Sequence, residues 1–272
     1  YLGKEDILQV KLGDCVQQEM NILLCDIHAF TSLSEKMTPQ ENFRFINDYL
    51  KYVEPAVKSQ EGFVENYIGD AVSALFHEPH QALEASIRIQ QAITQFNTQQ
   101  HLHVTSGIAL HTGSIMLGIV GGMKRMQGMV LSKAILSTFT IQEITSLCQC
   151  PIIASEEILN NLQKPEKTDK RFLGYIFQKE TNKLMKIHEI LHESLENMHS
   201  KRKTKHVFEN GVKQFFANAF EKAIASFKEV SQEDPKDQAA QLYYKAAKQF
   251  LGKQLPQQWN TLQLAEHASS NA

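Results

Sequence analysis

Two aspartates in short motifs are the residues best placed to do chemistry. Asp26 ends the apolar run NILLCDI, and Asp70 lies in YIGDAV between two strand-like runs. A strand end and a tight turn that meet in one sheet would aim both carboxylates at one ligand. Carboxylate oxygens suit a hard divalent cation, Mg²⁺ or Mn²⁺. Gly69 would let the backbone approach that ligand, and the amides of residues 27–31 could hold phosphate oxygens.

The elements that must position these aspartates follow the order β-α-β-β-α-β. Residues 21–27 form an apolar run typical of a strand covered on both faces, and a helix begins after a Thr38–Glu41 capping box. The order predicts an α+β fold, a ferredoxin-like antiparallel sheet with helices on one face. The other predicted elements are strands at 63–68 and 71–76, a helix at 82–96, a strand pair within 101–122, a helix at 133–147, a strand at 151–154, a helix from Ser155, and strands at 171–178 and 183–190.

The C-terminal part has a different pattern. Residues 191–206 are polar and end in a basic run, which predicts a solvated linker. Small and aromatic residues from Gly211 to Pro235 recur at the intervals of a tetratricopeptide helix pair, which predicts one repeat at 207–236 and a further helix at 238–251. One repeat cannot bury its own apolar face, so we expect it to pack on the first domain, on a protein partner or on a second copy.

The amino-acid composition limits the classes of partner that the protein could bind and the cellular compartment in which we expect it. The 272 residues include 28 Lys and Arg against 30 Asp and Glu, without the basic excess of proteins that bind nucleic acid or anionic membranes. No apolar run is long enough to span a membrane, and the chain opens without a signal peptide. We therefore expect a cytoplasmic protein of the bacterial cytosol, with an upstream sensor or membrane region left open. The four cysteines predict buried, reduced thiols.

Four motifs together resemble a known family. The patterns DIxxFTSLSEKM, GFVxxxIGDAV, GIALHTG at 107–113 and GxVGG at 118–122 are similar, in order and spacing, to the class III adenylate and guanylate cyclase catalytic domain. The resemblance also includes RFLG at 171–174. It predicts a lead-in at 1–19, a cyclase-like domain at 20–190, the linker at 191–206 and a tetratricopeptide-like tail at 207–272.

The resemblance implies a head-to-tail dimer that uses ATP or GTP. One chain would bind two metal ions, Mg²⁺ or Mn²⁺, through Asp26 and Asp70, and these would help the ribose 3′-hydroxyl attack the α-phosphorus and expel pyrophosphate. Nucleotide-binding positions implied by the family fall on Ile27, His28, Ala29, Phe30, Thr31, Gly69 and Lys179.

The positions that a partner chain would contribute are changed. The base-reading lysine falls on Asn66 and the second base contact on Met129, while the ribose asparagine falls on Leu136 and the transition-state arginine on Thr140. Methionine and leucine cannot make the hydrogen bonds these roles require. Loss of one group that stabilises transition-state charge costs about 10²–10³ in rate. Little or no activity is therefore expected from a homodimer.

Three interpretations remain open from the sequence. The first is a pseudo-cyclase that binds metal and nucleotide and acts as a regulatory or interaction module, with the tail available to a protein partner. The second is a metal-binding half-site that becomes active in a heterodimer with a complementary cyclase domain. The third is an autonomous adenylate or guanylate cyclase in which Arg125 or Lys133 replaces the missing charge.

Overall fold

The computed structural model describes residues 11–101, 103–122, 125–178, 182–195, 198–256 and 258–268. The described strands are β1 (Cys15–Ile27), β2 (Phe63–Ile68), β3 (Ala71–Phe76), β4 (Ser106–Gly122), β5 (Arg125–Leu131), β6 (Ile152–Ser155), β7 (Lys170–Gln178) and β8 (Lys183–Ile190). The described α-helices are α1 (Phe30–Ser34), α2 (Pro39–Lys58), α3 (Pro79–Gln100), α4 (Lys133–Cys148), α5 (Glu156–Asn160), α6 (Met198–Phe216), α7 (Phe220–Glu233), α8 (Gln238–Gln249) and α9 (Leu264–Ala268).

The strands form one mixed sheet. Its order is β2-β3-β1-β4-β6-β8-β7, and β5 pairs with β4 beside this path. The α+β class is confirmed, but the prediction of a wholly antiparallel sheet is wrong because β4 and β6 pair in parallel. Their connection includes β5 and α4, and such a crossover brings the chain back in the same direction.

β4 is a single strand of 17 residues where the sequence predicted a strand pair. Gly113 does not break it, because β1 pairs with β4 continuously from Cys15 to Ile27. A Cβ at Gly113 would lie 2.6 Å from the Cβ of Ala134, so this glycine lets α4 approach the sheet. β5 pairs antiparallel with the C-terminal part of β4, from Met116 to Gly122.

Helices cover both faces of the sheet, and the prediction of helices on one face is wrong. Leu23 and Cys25 of β1 lie in a core with α2 and α3, whereas Leu24 lies in a second core with α4 and the C-terminal helices. The physical reason is the apolar run of β1, which is buried on both sides.

The C-terminal helices pack on the second face of the sheet. α6, α7 and α8 share an apolar core with α4, β7 and β8. Of the three predicted ways to bury the apolar face of these helices, packing on the first domain is the one found. α6 begins at Met198, inside the predicted linker, and Lys201 is buried. A solvated linker at 191–206 is therefore wrong from Met198 onward; the tetratricopeptide repeat itself stays a prediction.

An aromatic cluster closes the tail against β7. Trp259, the single tryptophan of the chain, is 3% exposed and lies 4.8 Å from the ring of Phe215 and 5.3 Å from that of Phe216, between centroids. The hydroxyl of Tyr243 donates a hydrogen bond to the carbonyl of Leu173 at 2.8 Å. The C-terminal helices are therefore held on the sheet by aromatic packing and by one buried hydrogen bond to the backbone of β7.

Four buried charges also join the tail to the sheet, and we call them the junction cluster: Arg171, Glu189, Lys201 and Asp237. Arg171 of β7 donates to Glu189 of β8 at 2.5 Å and to Asp237, the N-cap residue of α8. Lys201 of α6 also donates to Glu189. Burial opposes ionisation of both carboxyls, yet Arg171 lowers the pKa of Glu189 and of Asp237 below the usual values. The Arg171 guanidinium also lies 3.9 Å above the ring of Phe208.

Within the described residues, no helix combines the length and apolar character that a membrane span requires.

Candidate functional site

The fold brings Asp26 and Asp70 together. Asp26 lies at the end of β1, and Asp70 lies in the turn between β2 and β3. The backbone amide of Ile27 donates to Oδ2 of Asp70 at 3.2 Å, which holds the Asp70 carboxylate beside the end of β1. The sequence predicted this meeting from the strand end and the turn, and β1 pairs directly with β3.

Asp70 opposes ionisation of the neighbouring Asp26 carboxyl. Burial raises the pKa of Asp26 first, and the neighbouring Asp70 raises it further, to about 7. A divalent cation between two such carboxylates would remove this repulsion. The donor set consists of oxygen atoms, which fits Mg²⁺ or Mn²⁺ better than a softer metal. Among the residues the structure describes, no group of three or more His, Cys, Asp or Glu forms a larger metal site.

The segment Ile27–Thr31 turns away from β1 directly after Asp26. Two of its amides are used within the chain: Ile27 donates to Asp70, and His28 donates to the carbonyl of Thr105 at 2.9 Å. Ala29 adopts a left-handed conformation (φ 55°) and precedes the short helix α1, which starts at Phe30. The amides of Ala29, Phe30 and Thr31 therefore begin a helix and have no acceptor inside it.

The side chain of His28 is half-buried beneath this segment. Its Nδ1 lies 3.5 Å from the hydroxyl of Thr105, and a Cβ at Gly107 would lie 2.6 Å from its Nε2. Burial lowers the pKa of His28 to about 4, so the ring is neutral at pH 7. His28 thus packs against the start of β4, and a charge on this ring is not available to a phosphate.

Gly69 adopts the conformation that its turn requires. Its φ is +66°, in the left-handed region that favours glycine, and a Cβ there would meet no atom within 4 Å. Space is therefore open next to Asp70, and a ligand could approach the turn from this side.

The four predicted partner-side positions lie on β2, β5 and α4. Asn66 is exposed on β2, Met129 is 41% exposed on β5, and Leu136 is 59% exposed on α4. The hydroxyl of Thr140 donates to the carbonyl of Leu136 within α4 at 3.3 Å. No hydrogen bond or ion pair connects any of these side chains to Asp26 or Asp70 in the described part of the chain. Two of the four positions, Met129 and Leu136, therefore expose apolar side chains.

Other predicted residues have mixed outcomes. Lys179 lies outside the described residues. Cys25, Cys148 and Cys150 are buried and free, as predicted, whereas Cys15 is free but exposed.

Sequence analysis missed the junction cluster. The basic run that contains Lys201 predicts a solvated linker, although Met198, Lys201, Thr204, Phe208 and Gly211 follow the spacing of a buried helix face. That spacing was the signal that could have placed Lys201 inside. Arg171 lay in a recognised motif, but nothing in its local sequence indicates that its partner Asp237 is 66 residues away.

The strand order and the adjacent carboxylates agree with the cyclase-like domain that the sequence predicts. In comparisons with known proteins, residues 15–137 match the adenylate and guanylate cyclase catalytic domain. The family match thus covers the part of the chain from β1 into α4.

Curated relatives share this domain but are much longer. An adenylate cyclase of Anabaena cylindrica is 34% identical over 182 residues, which cover 63% of this chain and 36% of that protein. The terminal-differentiation-specific adenylate cyclase of Dictyostelium discoideum is 24% identical over 244 residues, which cover 86% of this chain and 12% of that protein. The chain thus spans about a third or less of these relatives, and the second match extends into the C-terminal helices.

Solved structures show the same fold at low identity. The adenylyl cyclase CyaB from P. aeruginosa superposes with a TM-score of 0.59 at 17% identity, covering 66% of this chain and 98% of that one. A bacterial light-regulated adenylyl cyclase gives a TM-score of 0.60 at 21% identity, covering 73% of this chain and 60% of that one. At this identity the likeness concerns the fold alone.

Proposed function

We propose that the chain is a pseudo-cyclase: a class III cyclase-type domain that binds a divalent metal and a purine nucleotide and acts as a regulatory or interaction module. The observation that carries this proposal is the contrast between its two half-sites. The carboxylates of Asp26 and Asp70 are adjacent, whereas Leu136 and Met129 expose apolar side chains at the partner-side positions.

The metal half supports binding. Asp26 and Asp70 would hold Mg²⁺ or Mn²⁺, which when bound offsets negative charge on nucleotide phosphates. The backbone from Ile27 to Thr31 would contact phosphate oxygens through the amides that begin α1, with Gly69 leaving room beside the turn. Lys179 remains a proposed phosphate contact. The nucleotide is of the ATP or GTP type, because only the base-reading positions separate the two.

The partner half argues against turnover by a homodimer. Leu136 replaces the hydrogen-bonding group for the ribose, and the hydroxyl of Thr140 is bonded within its own helix. An arginine missing at this position removes charge stabilisation worth about 10²–10³ in rate, and the changes at Asn66 and Met129 also remove contacts to the base. Nucleotide bound to one chain would therefore be held without being cyclised.

A second candidate function is the metal-binding half of an active heterodimer. The observation that favours it is the intact carboxylate pair, which a protein kept only for its fold would not need. In this case a complementary cyclase domain supplies the lysine, asparagine and arginine that this chain lacks. The exposed apolar side chains on β5 and α4 would lie at the contact between the domains: Met126, Met129, Leu131 and Leu136.

One experiment separates binding from catalysis. The purified chain is titrated with Mn²⁺ and a non-hydrolysable ATP or GTP analogue by calorimetry, and cyclic nucleotide is measured in parallel with ATP and GTP. The pseudo-cyclase predicts saturable binding, no product, and loss of binding in Asp26→Asn. Asp48→Asn is the matched control, because Asp48 is a surface carboxylate paired with Lys51.

The outcomes distinguish the alternatives. Product that disappears in Asp70→Asn would establish an autonomous cyclase and overturn the proposal. Product that forms only after mixing with a cyclase domain that lacks the aspartates but has the asparagine and arginine would establish the half-site. Neither binding nor product would show that the carboxylate pair has no ligand.

The domain organisation is part of the same proposal. Residues 20–190 would form the signalling domain after a lead-in at 1–19, and residues 207–272 would form a helical extension open to a protein partner on its outer side. Because α6, α7 and α8 share a core with the sheet, a partner on these helices would act on a surface that is rigidly joined to the domain.

A further inference from the structure

Helix α4 contacts both the sheet and the C-terminal tail. It packs on β1 and β4, and it also contacts α8 and the 3-10 turn Thr261–Gln263. Its apolar stripe of Ile141, Ile144 and Cys148 lies in the core that the tail shares with the sheet. A helix is a rigid element, so α4 can carry coupling between the parts that it contacts.

A second, polar stripe of α4 meets the start of β4. Nε2 of Gln142 donates a hydrogen bond to the carbonyl of Gly107 at 3.1 Å, and the hydroxyl of Thr145 donates to the carbonyl of Gln142 at 2.7 Å. Both side chains are buried. A Cβ at Gly107 would overlap the side chain of Thr145, so this glycine lets α4 lie directly on β4.

The same glycine adjoins the residue that follows the first aspartate by two positions. A Cβ at Gly107 would also lie 2.6 Å from Nε2 of His28. The ring of His28 and the side chain of Thr145 therefore lie next to each other above one backbone position. Through this pair of side chains, α4 reaches the segment Ile27–Thr31 that begins directly after Asp26.

This segment leads into an element with little burial. No residue of the short helix α1 is buried. Segments with few buried contacts are the ones that open locally in a folded protein. The contact between His28 and α4 therefore bears on how often the segment opens.

At its other end, the tail is bonded to β7, which is an edge strand of the sheet. The hydroxyl of Tyr243 donates to the carbonyl of Leu173 at 2.8 Å, and the amide of Tyr175 donates to the hydroxyl of Thr261 at 2.9 Å. A Cβ at Gly174 would overlap both tail hydroxyls. The backbone of β7 therefore fits these two tail residues closely, and both bonds are lost when the tail leaves.

We propose that the tail is a regulatory element of the carboxylate site: its docking on β7 and α4 orders the segment after Asp26, and its loosening weakens metal binding. The path runs from the bonds of Tyr243 and Thr261, through the contact of the Thr261 turn with α4, to the contact of Thr145 with His28. The effect on metal binding rests on the proposed function, whereas the ordering of the segment does not. By reciprocity, a bound metal would strengthen tail docking to the same extent.

Hydrogen exchange of the full chain tests the ordering without metal. Tyr243→Phe and Thr261→Val each remove one hydroxyl that bonds to β7. We expect both variants to speed exchange in α8 and to speed it at least about fivefold, the lower end of typical coupling between sites, in residues 27–35. The protected amides of that segment include those of His28 and Leu33. Exchange in β3, which lies outside the path, should remain as in wild type.

A second pair of variants tests the path through α4. Thr145→Ala removes the atoms that adjoin His28, so the tail variants should no longer speed exchange in residues 27–35 in this background. Thr138→Ala is the matched control, because Thr138 is an equally buried threonine of the same helix whose hydroxyl donates to the carbonyl of Ala134 at 2.8 Å. In that background the response to the tail variants should persist.

Titration with Mn²⁺ by calorimetry tests the consequence for the site. Tyr243→Phe and Thr261→Val should lower the affinity at least about fivefold, and Lys228→Ala, on the exposed side of α7, should leave it unchanged. A wild type that does not bind Mn²⁺ would refute the proposed function, and the exchange experiment would still decide whether the tail orders the segment.

Several results would overturn the regulatory role. One is exchange in residues 27–35 that stays at the wild-type rate while α8 loosens, and another is the absence of loosening of α8 in both tail variants. An equal rise in β3 would mean a general loss of stability. An undiminished response in Thr145→Ala would exclude the path through His28, and unchanged Mn²⁺ affinity in a chain with a loosened segment would exclude control of the site.

Discussion

Two groups of partly or fully buried charges differ in their balance. The junction cluster sets Arg171 and Lys201 against Glu189 and Asp237. The candidate site sets Asp26 against Asp70, two groups of the same sign. In the first group, each carboxylate keeps a pKa below its usual value despite burial; in the second, burial and the neighbouring carboxylate raise the pKa of Asp26.

This difference in charge balance distinguishes a cluster that stabilises the fold from a site that a bound cation would stabilise. Balanced charges are satisfied inside the protein, so removing one member harms the fold. Like charges held together are destabilising without a cation, so removing one member harms binding and leaves the fold intact. Four experiments test this distinction, from the largest expected effect to the smallest.

The largest effect is expected at Arg171. Arg171→Met leaves Glu189 and Asp237 buried without their main partner, which costs about 3–5 kcal/mol of unfolding free energy. Urea denaturation of wild type and variant measures this cost. Arg88→Met, which removes an exposed pair with Glu84, serves as the control. A loss below about 1 kcal/mol would show that the junction cluster is not a structural requirement.

The next effect belongs to the carboxylate pair. Mn²⁺ at one hundred times its dissociation constant should stabilise the wild type by about 2.7 kcal/mol, and Asp26→Asn should remove this stabilisation. Without metal, Asp26→Asn should be at least as stable as wild type, because the variant removes one of two like charges. Thermal unfolding with and without Mn²⁺ checks both points; a metal-free variant much less stable than wild type would contradict them.

A buried neutral group gives a third, pH-dependent case. Burial lowers the pKa of His111 to about 4, and its Nδ1 lies 2.8 Å from the hydroxyl of Ser155. The unfolded chain, with an ordinary histidine pKa, takes up protons first, so stability is present near neutral pH and is lost as pH falls from about 6.5 toward 4. The loss attributable to His111 should reach about 2 kcal/mol at pH 4.5.

Urea denaturation from pH 7 to pH 4.5 measures that slope. His111→Gln should flatten it, whereas His80→Gln should leave it unchanged because His80 is exposed. An identical slope in wild type and His111→Gln would mean that His111 does not carry the pH dependence.

The smallest effect is expected at Lys203, two residues after Lys201 of the junction cluster. Lys203 lies on the same helix as Lys201 but pairs with Glu233 at the surface. Lys203→Ala should cost about 0.2–1 kcal/mol, because water and salt screen an exposed pair. Urea denaturation at low and high salt checks this value. A cost close to that of Arg171→Met would show that burial is not what makes the junction cluster strong.

Local patterns predicted much of the sheet and one half of the site. The strands at 63–68 and 71–76 and the capping box at Thr38 are found as predicted. The meeting of Asp26 and Asp70 could be predicted because Asp26 lies at the end of β1 and Asp70 directly precedes β3, and these two strands are neighbours in the sheet. Family resemblance located the altered positions, but their exposure came only from the structure.

Patterns failed where distant parts of the chain decide the outcome. A glycine in the middle of β4 indicated a turn, but at Gly113 it provides room for α4. Lys201 belonged to a charged run that favours solvent, yet a partner from β8 makes its burial possible.

The packing of Trp259 makes the attachment of the tail observable in solution. As the single tryptophan of the chain, it is the sole indole fluorophore, and its ring is enclosed by Phe215 and Phe216. Its emission spectrum should be shifted to the blue while the tail is docked and should move to the red when water reaches the indole. Fluorescence would therefore follow the release of the C-terminal helices without any added label, even where circular dichroism of the remaining domain is unchanged.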